Sequence, residues 1–373
     1  MRAFVFTDKA LAKHAGQFVW LSIDTEKAQN AAFAQKYPIR AWPSFYVIDP
    51  EKEAITLRWV GGATVAELGK LFDDVAQTAR AGKPGGALAR ADALYSQGKY
   101  AESIPAYREA LQGMPKSAPS YPRAVEALLF SLSASRERSE CVAVARGAMG
   151  AVRPTAAAAV VAGSGLDCAL GLPDGAPGKA EDVAEFEKQA REVLADPKLH
   201  LVADDRSALY ESLVDARKEA GDTAGADRLA REWVADLDNA AAAAKTPEQW
   251  TALDPDRLNA YEAAGELEKA IPMLEKSAKD FPKDYNPPAR LSLVYLKLKR
   301  YDDALAASDE ALANVYGPRK LRVLAVRADV YKGMGDEAAA RKTLEEALAF
   351  AEALPPGQRS DAQIAALRKQ LGG

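Results

Sequence analysis

The sequence predicts an α+β multidomain protein: a short α/β segment over residues 1–80, then an all-α solenoid of helix-turn-helix pairs over residues 87–354. Three observations carry this. A register of glycine, small residue, larger residue and small residue returns with constant offsets. Gly98, Ser103, Tyr107 and Ala110 recur as Gly221, Ala226, Ala230 and Trp233, and as Gly265, Ala270, Leu274 and Ser277. They recur again as Lys299, Ala304, Ser308 and Ala311, and as Gly335, Ala340, Leu344 and Ala347. Before residue 80, β-branched and aromatic runs alternate with helix-like stretches. Aromatic residues make up only 8% of the 373-residue chain and alanine is abundant, a composition suited to close helix packing rather than a large sandwich.

In the first segment, residues 18–23 (FVWLSI) form a nearly continuous apolar run, as expected of a strand covered on both faces. Asp24 and Thr25 can cap a helix running to about Tyr37, with Ala28, Ala31, Ala32 and Phe33 inward. Residues 44–48 read as a second strand, followed by a turn at Asp49 and Pro50. Ile55, Leu57 and Trp59 then alternate with Thr56 and Arg58 in a third strand that pairs with the second as a hairpin, ended by Gly61 and Gly62. Thr64 and Glu67 make a capping box for a helix whose inner face is Leu68, Leu71, Phe72 and Val75.

Residues 81–86 (AGKPGG) read as a flexible linker. The first helix pair places Ala87, Ala91 and Leu94 on one helix and Ile104, Tyr107 and Leu111 on the next, closing at Pro115. A second pair over 121–149 has a turn, SASRERSE, without glycine. A third over 155–194 is interrupted by GLPDGAPGKAED, an exposed and protease-accessible loop. Pairs at 207–237, 251–282, 285–316 and 321–353 follow, and residues 355–373 read as a capping helix and tail. The count is seven pairs plus a cap.

The glycine permits a tight turn between antiparallel helices and the small residues let their backbones approach. This unit, clearest in QGKYAESIPAYREALQGMP, resembles the tetratricopeptide repeat (TPR), a pair of about 34 residues that stacks into a superhelix. The resemblance implies a protein-interaction scaffold whose concave face, lined by the first helix of each pair, takes peptide or protein partners. Transferring the family register puts Asp92, Tyr95, Asn259, Asn286, Lys297 and Lys332 on that face, beside Asp215, Lys218, Glu262, Leu293 and Asp329. For each of them a solvated helix face is the alternative. The paired Lys and Asn clamp with which some members grip a C-terminal carboxylate is not found in the first well-formed units, which disfavours chaperone tails as ligands.

Residues 18–50 carry a second resemblance, to the middle of a thioredoxin-fold domain. The resemblance implies that residues 1–17 are the helix after the redox CxxC, that Pro43 is cis, and that the backbone of Trp42 pairs with an extended substrate peptide. Trp42 and Pro43 therefore join the peptide-binding candidates. The first strand and the CxxC of that family would lie upstream of Met1. The module in this chain then lacks redox cysteines, with a degenerate domain as the competing explanation. The alternative function is a thiol-disulfide oxidoreductase whose CxxC precedes Met1, with the repeats recruiting client proteins.

Other chemistry is weakly signalled. Cys141 and Cys168 fall on neighbouring antiparallel helices, one near the start and one near the end; buried free thiols are favoured over a bridge. His14 and His200 stand alone and read as solvated surface histidines, so no metal site and no cofactor is expected. Acid pairs such as Asp73 with Asp74 and Asp204 with Asp205 are accounted for by solvation and helix dipoles. A net charge of −4 gives no electrostatic case for nucleic acid. Residues 155–172 are the nearest approach to a membrane span but carry Asp167. The cytoplasm is the default location, with a periplasmic or secreted one open if a signal peptide precedes Met1.

Overall fold

The computed structural model describes residues 4–39, 43–81 and 86–372 of the chain, with the side chains of 77–81 outside the description. Trp42, and with it the expected cis bond to Pro43, lies outside these residues, as do residues 82–85 of the linker. Two compact units form, residues 1–19 with 40–240 and residues 20–39 with 241–373.

The apolar run at 18–23 is not a strand. Val19 and Leu21 are 88% and 72% exposed and lie in no regular element. An apolar run becomes a strand only where a sheet edge takes up its backbone groups. Here the described sheet consists of one hairpin. The helix expected from Asp24 onward is reduced to a 3-10 turn, Ala28–Asn30, and a six-residue helix α1 (Ala31–Lys36). The helix expected over 1–17 is a 3-10 segment, Lys9–His14, opened by the Asp8 carboxylate accepting from the Ala10 amide at 2.8 Å.

In the first unit, strands β1 (Ser44–Asp49) and β2 (Ala54–Val60) pair antiparallel with Phe45 opposite Trp59 and Val47 opposite Leu57. Helix α2 (Val65–Ala81) follows the expected capping box: the Thr64 amide donates to Glu67 Oε2 at 2.8 Å and the Glu67 amide to Thr64 Oγ1 at 3.2 Å. Leu57, Trp59, Leu68, Leu71 and Phe72 share a core with Val5 and Leu11. His14, expected on the surface, is fully buried with its ring edge-on to Phe72, at 5.3 Å between centroids. It is a packing residue. Arg58, which alternates with Leu57 and Trp59, is also buried and lies over the rings of Tyr46 and Tyr95. Both faces of β2 are thus covered at Leu57, Arg58 and Trp59.

Four helix pairs complete this unit. They are α3 (Ala87–Ser96) with α4 (Tyr100–Gln112), and α5 (Tyr121–Ala134) with α6 (Arg138–Val152). Next come α7 (Ala157–Leu170) with α8 (Lys179–Ala195), and α9 (Ala203–Glu219) with α10 (Thr223–Ala243), whose last residues enter the second unit. The second unit holds a short α11 (Pro247–Thr251), then α12 (Asp254–Ala263) with α13 (Ala270–Asp280) and α14 (Asn286–Lys297) with α15 (Tyr301–Asn314). The pair α16 (Arg319–Met334) with α17 (Glu337–Ala353) is last, and α18 (Asp361–Gly372) packs on it through Ile364. Among the described residues no helix is long and apolar enough to cross a membrane.

One turn is built six times among the described residues. Gly98, Arg136, Gly221, Gly265, Lys299 and Gly335 all hold positive φ, between 57° and 79°. In each case the following amide donates to the carbonyl five residues back, as Lys99 does to Leu94 and Arg300 to Tyr295. This is the helix-ending motif that favours glycine because a Cβ crowds the left-handed region. Arg136 therefore supplies the turn that SASRERSE shows no glycine for. Counting five residues on from Arg136 places Cys141 at the buried small position held elsewhere by Ser103, Ala226 and Ala270.

Cys141 on α6 and Cys168 on α7 are not free thiols. They form a disulfide with a Cα–Cα distance of 6.1 Å, and both are fully buried. Antiparallel neighbours bring the start of one helix beside the end of the other, within the usual reach of a bridge.

Candidate interaction surface

The two candidates in the first pair are buried rather than displayed. Asp92 accepts two bonds from the Arg123 guanidinium, at 2.8 and 3.0 Å, and a third from the Tyr107 hydroxyl at 2.8 Å. Tyr95 is 4% exposed and stacks edge-on against Tyr100, Tyr107 and Phe130. Burial, set against the pull of nearby Arg58, raises its hydroxyl pKa well above the ordinary tyrosine range. The sequence register puts these residues on the first helix. Docking of the hairpin and of α5 converts that face into interior, through Arg58 and Arg123.

Pro43 precedes β1, and its carbonyl accepts from the Gly61 amide at 2.9 Å, so this part of its backbone is engaged within the hairpin.

The second unit keeps its candidates accessible. Asn259 is exposed on α12. Lys297 on α14 pairs with Glu262 on α12, tying the first helices of successive pairs together. Lys332 on α16 pairs with Asp329 one turn earlier at 3.1 Å. Asn286 is positioned by Asp284, whose Oδ1 takes its amide at 2.9 Å and its Nδ2 at 2.7 Å as α14 begins. The structure thus links Lys297 to α12 through Glu262, one turn on from Asn259. It assigns Asn286 to the start of its own helix.

Three further residues not anticipated from the register recur in this unit. Arg257, Arg290 and Arg322 stand one turn into the first helices of three successive pairs, and Arg290 is half-buried. Among the described residues Arg290 has no hydrogen-bond or ion-pair partner, and burial lowers its pKa against the opposing influence of Asp254 and Asp284. Asp254 is fully buried, and neither carboxylate oxygen has a well-formed hydrogen bond. Burial pushes its pKa up to about 6, against the pull of the Ser277 hydroxyl and of Arg290 and Arg257. The signal was legible as arginines recurring near the starts of successive first helices. Among the described residues no group of three or more His, Cys, Asp or Glu side chains could hold a metal ion.

Serial antiparallel helix pairs closed by one recurring turn define a helical-repeat protein. Residues 285–353 match the tetratricopeptide repeat family, and that stretch covers the two pairs from α14 to α17. No curated protein matches the chain. Among solved structures, it is similar to a tetratricopeptide repeat protein from Parabacteroides merdae, with 9% identity, 77% of this chain and 98% of that chain covered, and a TM-score of 0.45. It is similar also to BtubC from P. vanneervenii, with 22% identity, coverage of 51% and 78%, and a TM-score of 0.36. The TPR2AB-domain:pHSP90 complex of yeast Sti1 shows 15% identity, coverage of 77% and 97%, and a TM-score of 0.27.

Proposed function

We propose that the chain is a protein-interaction scaffold whose second unit holds a carboxylate-bearing peptide segment along the first helices α12, α14 and α16. The observation that carries this reading is Arg290, a half-buried guanidinium that makes no hydrogen bond or ion pair among the described residues, although Asp254 and Asp284 act on it from nearby. Removing a guanidinium from water without pairing it is costly. A ligand carboxylate would relieve that cost through charge-assisted, bidentate hydrogen bonds. Lys297 and Lys332 are held by exposed carboxylates, pairs worth only about 0–1 kcal/mol, so a ligand can take them over. Asn259 adds an exposed amide that can bond a peptide backbone.

In the same reading the N-terminal hairpin, Pro43 and α2 are a thioredoxin-like remnant, with Trp42 and Pro43 as its peptide-binding candidates. The order of hairpin and capped helix supports this. Thiol-disulfide exchange requires an attacking thiolate. Both cysteines of the sequence are joined in a buried bridge, so exchange is not the function proposed.

The test is affinity capture with the full chain against the Arg290→Ala/Lys297→Ala variant, with quantitative mass spectrometry. Partners retained by the wild type and depleted at least tenfold by the variant support the reading. An unchanged partner set contradicts it.

A further inference from the structure

Residues 24–36 do not pack as a strand-linked helix in the α/β segment. They sit instead on the turns that open α14 and α16 and on the link between α17 and α18. Glu26 accepts from the Tyr285 hydroxyl at 2.6 Å and from Arg319 Nε at 2.5 Å. Asp24 accepts from the Tyr316 hydroxyl at 2.6 Å. The Gln358 amide donates to the carbonyls of Thr25 and Lys27 at 2.8 and 3.0 Å. Within the segment, Asp24 Oδ1 takes the Glu26 amide at 3.0 Å, which sets the turn.

Two glycines fit flush beneath it. A Cβ on Gly317 would stand 2.1 Å from the Glu26 carbonyl oxygen, and one on Gly357 would stand 1.9 Å from that of Ala31. Gly357 has no positive φ to explain it, so the space it leaves serves the segment. The docked piece is held by polar recognition rather than by a core. Its helix has six residues, too short to persist alone, and within it only Ala31 is buried, with Tyr37 buried just after it. It is also led in by the exposed Val19 and Leu21.

We propose that Tyr285, Tyr316, Arg319 and Gln358 form a binding site for an Asp-x-Glu turn that opens a short helix. Asp24, Thr25 and Glu26 occupy it in cis, and a partner protein presenting the same acidic turn binds by displacing them. The chemistry is that of two carboxylates received by two phenols and a guanidinium, with a carboxamide reading the backbone. A tethered occupant acts at an effective concentration of the order of millimolar, so it suppresses a ligand in trans until that ligand exceeds it. Tyr285 also acts on the Arg290 guanidinium along the same helix, but the proposal does not depend on Arg290 or Lys297 binding a peptide.

The test uses a fluorescein-labelled peptide of residues 22–37 and the full chain, read by fluorescence anisotropy. Asp24→Lys/Glu26→Lys, which vacates the site, is expected to bind the peptide at least tenfold more tightly than the wild type. Adding Arg319→Ala and Tyr285→Phe to that variant is expected to abolish the gain, and a peptide carrying both lysines is expected not to bind. Should the double variant fail to fold by circular dichroism, the isosteric Glu26→Gln is expected to give a smaller gain of the same sign. Equal affinity for wild-type and vacated chains, or binding indifferent to Arg319→Ala, overturns the proposal. A concentration-dependent dimer of the wild type that Glu26→Gln dissolves would assign the site to a second copy and overturn the partner assignment.

Discussion

Arg123 clamps Asp92 with two near-parallel hydrogen bonds across the first two helix pairs, and both side chains are nearly closed to solvent. Burial pulls the guanidinium's pKa down, and the charge and hydrogen bonds of Asp92 more than offset it, holding it above its ordinary value. Arg123→Met leaves Asp92 buried without its cation and is expected to cost about 3–5 kcal/mol, the usual penalty for breaking a buried pair from one side. Adding Asp92→Leu should recover much of that loss. Urea denaturation of the single and double variants checks both; a single variant within 1 kcal/mol of wild type, on the scale of an exposed pair, contradicts the account.

The recurring turn predicts a gain. Lys299 and Arg136 hold φ of 57° and 62°, where a Cβ is unfavourable. Lys299→Gly relieves that crowding at some entropic cost and is expected to stabilise by about 0.5 kcal/mol. Gly221→Ala, the reverse change, should destabilise by about 1 kcal/mol. Thermal unfolding separates the two signs.

The disulfide gives a third outcome. Closing a loop of 27 residues is worth about 3.5 kcal/mol on chain-entropy grounds. Alkylation of the unfolded, unreduced protein should label no cysteine, and two after reduction. Cys141→Ala/Cys168→Ala should lower stability by that order, and two labelled thiols without reductant contradict the bridge.

Stability should fall as pH rises from about 4 to 8. Burial raises the carboxyl of Asp205 to about 8, with Glu67 and Asp204 adding like-charge repulsion. Burial also raises Glu126, with Glu67 and Asp205 adding to it and Arg123 opposing. In the unfolded chain these groups ionise near pH 4. Between the two pKa values the folded state therefore binds more protons, and its advantage is full below about pH 4 and gone above about pH 8. Asp205→Asn should flatten the slope in urea titrations taken across that window; an unchanged slope contradicts the assignment.

The repeat register was legible because a turn needing glycine and buried positions needing small residues leave a periodic trace. Gly98 and Ala270 are examples, and even Lys299 kept its place in the count. Arg136 was not legible, since a left-handed arginine carries no mark that distinguishes it from a surface cation. The N-terminal segment misled for a different reason. Its apolar run at 18–23 has strand composition, but strands exist only in pairs, and pairing is a tertiary fact. The docking of Asp24 and Glu26 on Tyr316 and Tyr285 spans more than 250 residues and leaves no local pattern. Asp92 and Tyr95 were placed on the right helix and the wrong side of the solvent boundary, because burial was set by Arg58 and Arg123 on other elements. The face of the second unit was partly legible: Asn259, Lys297 and Lys332 remain accessible, while the unpaired Arg290 emerges only from the packing around it.

The scaffold reading is tested most directly by site-specific photocross-linking of the full chain. A benzophenone side chain at Asn259 or Lys297, on the first-helix face, is compared with one at Glu310 on the exposed side of α15. The account predicts covalent adducts with a protein partner from 259 and 297, suppressed by Arg290→Ala, and none from 310. Adducts of equal yield from all three positions, or none from 259 and 297, would contradict it.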